Sequence, residues 1–209
     1  MEKTSNKDII KIAAWLIILQ GVMLGVKQAV FCFTEETLYS RSMVTLATMI
    51  VLCAALILYC KRRNLAVSVF PKSFGAPYII VTALVFAFYA ATVFITKAFN
   101  VQAILMLLYG SVVTPVFEEI LFRGVIWNKL NGVFSKELVT YIVVTLLFAL
   151  WHIGYAVGIY LWTGGSLVSC IVMKVLVGGV YGVITGAIRY KTKNCYVGIL
   201  VHGVLNSLG

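Results

Sequence analysis

Apolar residues run along this chain in long, nearly uncharged blocks, and the charged residues gather in the short gaps between them. A bilayer core takes about 20 apolar residues per helical span. The pattern therefore predicts an all-α fold, a polytopic transmembrane helical bundle of about seven segments. The blocks lie near residues 9–33, 43–60, 77–96, 101–126, 138–162, 166–188 and 195–208. The last is short for a full crossing and reads as a partial or tilted helix. Asn64 to Gly75, between the second and third blocks, is expected to lie along the membrane surface. The first block is longer than the apolar region of a signal peptide and has no Ala-x-Ala exit, so it reads as a retained span.

Composition narrows this further. The 209 residues are 62% hydrophobic and only 11% charged, against roughly 25% charged in a soluble domain. That leaves room for a single membrane domain over 1–209, with a motif-bearing core at about 101–209, and no soluble domain. The net charge of +10 sits in the gaps between blocks. No continuous basic face is available to track phosphates, so a nucleic-acid partner is not expected.

The cations have a directional pattern instead. Lys3, Lys7 and Lys11 precede the first block, and Lys61, Arg62, Arg63 and Lys72 follow the second. Lys129 and Lys136 follow the fourth, and Arg189, Lys191 and Lys193 follow the sixth. If each block crosses once, all fall on one side, opposite Glu35, Glu36, Arg41 and Lys97. The positive-inside rule makes that side, and the N-terminus, cytoplasmic. The expected location is a bacterial-type plasma membrane. The five cysteines, Cys32, Cys53, Cys60, Cys170 and Cys195, form no C-x-x-C pair and suggest no disulfide framework.

Ionisable groups inside a bilayer are costly and are functional candidates by default. Glu118, Glu119 and Arg123 lie in the fourth block, His152 in the fifth, and His202 and Asn206 in the last. Glu119 and Arg123 are four apart and share a helix face, so they can pair. Glu118 is turned about 100° away and is left available. His202 and Asn206 also share a face. Pro115 should kink the helix beside Glu118. Lys27 should snorkel to an interface, and the deeper Lys174 should face protein, water or a carboxylate. Gly178, Gly182 and Gly186 recur every four residues and should let another helix approach closely.

A carboxylate sheltered from bulk water can act as base toward a water held beside it. An imidazole can share that proton, and an asparagine amide and an imidazole N–H can donate to a developing oxyanion. Zinc held by Glu118, His152 and His202 is the weaker alternative. There is no H-E-x-x-H motif and no obvious fourth ligand, so no cofactor is expected.

Glu118-Glu119-x-x-x-Arg123, Phe148-x-x-x-His152 and His202-x-x-x-Asn206 resemble, in order, the three motifs of the CAAX protease and bacteriocin-processing (Abi) family. The resemblance covers about Gly110 to Gly209. It implies an intramembrane glutamate endopeptidase without a catalytic metal. By position, Glu118 would be the base for the attacking water, helped by His152, with His202 and Asn206 at the oxyanion. Glu119 and Arg123 would hold the first motif in shape, and Phe148 would pack beside it. The implied partners are the bilayer and a peptide or membrane-protein substrate, better matched by a peptide leader, pheromone precursor or membrane-embedded segment than by a strict CAAX tail. The alternative is a non-catalytic bacteriocin-immunity or scaffold protein that binds a partner membrane protein. A proton-relay transporter is a third reading, opposed by the lack of an internal repeat.

Overall fold

The computed structural model describes residues 6–208. Of the expectations above, Lys3 and Gly209 lie outside the described residues. The chain forms α1 (Asn6–Phe31), α2 (Leu38–Arg62), α3 (Ala76–Thr96), α4 (Val101–Asn131), α5 (Glu137–Thr163), α6 (Leu167–Thr192) and α7 (Tyr196–Leu208). Among the described residues there is no strand. Helices α1 to α6 are long and apolar enough to cross a membrane. The 13 residues of α7 span only ~20 Å at 1.5 Å per residue, short of a hydrocarbon core of about 30 Å. Large apolar side chains face outward along the long helices, among them Ile17 (72% exposed) and Ile95 (80%). Such faces would drive a water-soluble fold to aggregate and are the expected lipid face of a bundle. The protein is an integral membrane protein.

Local chemistry sets the helix ends. Thr37 caps α2 by accepting from Ser40 N at 3.1 Å, and Asn100 caps α4 by accepting from Ala103 N at 2.8 Å. Gly164 ends α5 at φ +66°, a left-handed position that suits a residue without Cβ.

Helix α4 departs from the regular helix that the sequence predicts. Two π-helical stretches, Tyr109–Val113 and Ile120–Ile126, flank the ordinary helix Thr114–Glu119. Pro115 therefore does not break the helix. The turn widens before it, and Thr114 N–H reaches back to Tyr109 O. A wider turn absorbs the donor that proline lacks. The second stretch begins immediately after Glu119, so both glutamates sit between two irregular turns.

The glycine stripe behaves as expected. On α6, a Cβ at Gly186 would lie 2.5 Å from the Tyr141 ring, and one at Gly182 3.2 Å from Thr145 of α5. These contacts bring α5 and α6 together.

The basic segments converge at one end of the bundle. Lys193 pairs with Glu137, and Arg189 Nη2 donates to Asn128 Oδ1 at 2.8 Å. Asn128 Nδ2 in turn donates to Ala66 O at 2.6 Å. The connection around Asn64 to Gly75 is tied into this end rather than simply laid beside it. Cys195 N–H donates to Ser68 O at 3.0 Å. A Cβ on Gly124 would come within 2.5 Å of Val67, so glycine is needed there.

Candidate active site

Glu118 and Glu119 are adjacent and fully buried, yet their surroundings differ completely. Glu119 Oε1 accepts from Arg123 Nη1 at 3.2 Å and lies 2.9 Å from His202 Nδ1. Its other oxygen finds no hydrogen-bond partner among the described residues and faces Gly198, where a Cβ would sit 3.2 Å away. Arg123 is wholly enclosed. Its Nη2 donates to Gly182 O at 3.2 Å, and its guanidinium lies 4.1 Å from the centre of the Phe148 ring. The pairing expected from the four-residue spacing is present. Its setting is a core with no solvent, where the pair and the histidine complete one another.

Glu118 makes no such pair. One oxygen, Oε1, accepts from Trp151 Nε1 at 2.9 Å and from Tyr155 Oη at 2.6 Å. The other, Oε2, stands 3.6 Å from His202 Nε2. The carboxylate is thus pinned by two aromatic donors on one edge and presents its second edge to an imidazole. His202 bridges the glutamates, one ring nitrogen toward each, and a separation of 3.6 Å is longer than a direct hydrogen bond.

His152 lies on the same helix as Trp151 and Tyr155. Its Nδ1 is 2.8 Å from Phe148 O, which leaves Nε2 as the free nitrogen. Its ring packs 4.8 Å from Phe148 and 5.5 Å from Tyr155, centre to centre. On α6, Gly178 makes room for it: a Cβ there would lie 2.5 Å from the imidazole. Phe148 also lies 5.8 Å from His202. It is a packing residue, and it touches Arg123, His152 and His202 together. Lys174 is half-buried on the same helix as Gly178.

Asn206 stands apart from the carboxylates. Its Nδ2 donates to Gly110 O at 2.8 Å, within the first π stretch, and holds α7 against α4. An amide carries two N–H donors, so this bond leaves one uncommitted. Ser207 and Ser111 share a 2.8 Å hydrogen bond in the same seam. The structure therefore brings Glu118, Glu119, Arg123, Phe148, His152 and His202 into one cluster, and Asn206 borders it.

Sequence reading missed three residues here. Trp151 and Tyr155 hold Glu118, and a signal existed: an aromatic with a polar tip inside an apolar span needs a partner for that tip. In the sequence Arg189 stands only as one of the topogenic loop charges. It is 4% exposed, and its Nε donates to Arg123 O at 2.8 Å, inside the second π stretch. No local signal separates it from the neighbouring cations. Among the described residues, no group of three or more His, Cys, Asp or Glu side chains is arranged to hold a metal ion.

Comparison with known proteins places the chain in a family. The family model described as type II CAAX prenyl endopeptidase Rce1-like matches residues 100–208. That is just over half of the chain, and the protein belongs to this family, which supports a CAAX-type intramembrane protease. No curated protein and no solved structure matches the chain.

Proposed function

We propose that the protein hydrolyses a peptide bond with a water activated by Glu118, near the membrane face where its basic segments gather. One observation carries this reading. Of the two buried glutamates, Glu118 is the one held by neutral aromatic donors and not by an arginine, and its second oxygen faces His202.

In this account Glu118 takes a proton from the water as its oxygen attacks the carbonyl carbon. His152, through its free ring nitrogen, shares the proton and passes it to the leaving amine. His202 and the uncommitted N–H of Asn206 stabilise the oxyanion. Trp151 and Tyr155 hold the carboxylate still, and Glu119 with Arg123 fixes the turn that presents it. No step calls for a metal.

The positive-inside rule makes the basic end cytoplasmic, which also suits a bacterial-type plasma membrane. The substrate is a peptide or membrane-protein segment that enters from that side. The family name adds a prenylated CAAX tail to the candidates.

The test uses full-length protein in lipid nanodiscs with a panel of farnesylated CAAX peptides, unmodified leader peptides and membrane-segment peptides. Cleavage of one class by wild type, lost in Glu118→Gln and His152→Ala proteins that remain folded, supports the mechanism. Undiminished turnover by Glu118→Gln refutes it.

A further inference from the structure

A concavity outside the cluster is lined in part by Phe117, the buried residue that precedes Glu118 in sequence. It is a cleft of about 820 Å³ between α1, α2, the Asn64–Ala66 connection and α4. Its wall is apolar, built from Ile12, Leu19, Leu52, Leu56, Phe117 and Ile126. Its mouth is different in kind. Lys11 and Lys129, both exposed, stand there with Tyr59 and Asn128.

Neither lysine is in a salt bridge among the described residues. Two acidic residues enter this end: Glu137 on α5 is held by Lys193, and Asp8, one turn before Lys11 on α1, makes no ion pair with it among the described residues. Lys61, Arg62 and Arg63 follow at the adjoining end of α2 and are exposed. The cleft thus joins an apolar body to an unneutralised cationic rim at the basic end of the bundle.

That pairing selects an occupant. A helix about 10–12 Å across would fill this volume in roughly two turns, so a transmembrane helix does not fit inside it. A flexible hydrocarbon chain does, and the cationic rim calls for a negative group at its head. We infer that the cleft seats an anionic phospholipid, with an acyl chain against Leu52, Leu56 and Phe117 and the phosphate between Lys11 and Lys129. The inference stands apart from the catalytic reading, because none of the residues proposed for catalysis lines the cleft.

The experiment is native mass spectrometry of full-length protein released from nanodiscs of equal phosphatidylglycerol and phosphatidylcholine. Wild type is expected to retain phosphatidylglycerol preferentially. A juxtamembrane lysine contributes roughly a fivefold preference for an anionic headgroup, so Lys11→Gln/Lys129→Gln is expected to lower retention by ~30-fold or less. Ala55→Trp, which places a large ring in the cleft from α2, is expected to abolish retention while leaving the thermal midpoint near that of wild type. Equal retention of the two lipids by wild type overturns the proposal, as does unchanged retention in the double lysine variant. A photo-crosslinking residue at Ala55 that captures a peptide or a second copy of the chain, rather than a lipid, also overturns it.

Discussion

Adjacent glutamates with opposite surroundings should respond in opposite ways to the same change. Consider Glu119→Gln and Glu118→Gln, each nearly isosteric. At Glu119 the change removes the negative charge that faces Arg123 at 3.2 Å and His202 at 2.9 Å. The guanidinium has no exposure to solvent, its Nε already lacks a partner among the described residues, and its remaining acceptor is the neutral Gly182 carbonyl. Breaking a buried ion pair from one side typically costs ~3–5 kcal/mol, because it strands a charge. At Glu118 a glutamine carbonyl can still accept from Trp151 and Tyr155, so no buried donor is stranded and the cost should be under ~1 kcal/mol. For a chain of this size a loss of ~3 kcal/mol corresponds to a fall of roughly 6–12 °C in thermal midpoint. The assay is thermal unfolding of both variants in one detergent, followed by tryptophan fluorescence. Glu119→Gln should melt well below wild type, and Glu118→Gln within a few degrees of it. The reverse order would refute the division of roles between the two carboxylates.

Other substitutions probe the remaining parts of the site. Gly178→Ala places a Cβ 2.5 Å from the His152 ring, about 0.9 Å short of ordinary contact at 3.4 Å. A displacement of that size in a catalytic group should reduce turnover ~100-fold, measured as kcat on the substrate found by the peptide panel, while overpacking costs only about 1–3 kcal/mol of stability. Tyr155→Phe removes the 2.6 Å bond to Glu118. A hydrogen bond to a charged group is worth ~1.5–3 kcal/mol, so kcat should fall ~10–100-fold, and a wild-type rate would remove Tyr155 from the mechanism. Asn206→Ala should lower kcat ~100-fold or more if the amide reaches the oxyanion. A change in melting alone would reduce Asn206 to its bond with Gly110.

The membrane bundle was legible in the sequence because block hydropathy responds to one constraint, the thickness of hydrocarbon. The Glu119–Arg123 pair was legible because helical spacing dictates it, and the close approach of α5 and α6 followed from the four-residue recurrence of Gly178, Gly182 and Gly186. The π stretches around Pro115 were not. A proline in a helical pattern announces a missing donor, and the surrounding packing decides whether the helix kinks or widens. Nor was the second role of His202. Its spacing from Asn206 places both on one face, but only the tertiary fold sets each imidazole nitrogen toward a different glutamate. Arg189 was hidden for the same reason: its partner is a backbone carbonyl on another helix.

The central claim is that Glu118 activates water for peptide hydrolysis in the membrane. Its most direct test compares peptide termini in membranes of cells that express wild type or Glu118→Gln at equal abundance. The account predicts a set of new termini seen with wild type and absent with the variant. Identical termini in the two membranes, with both proteins supporting the same cellular phenotype, would contradict it and point to a protein that acts by binding.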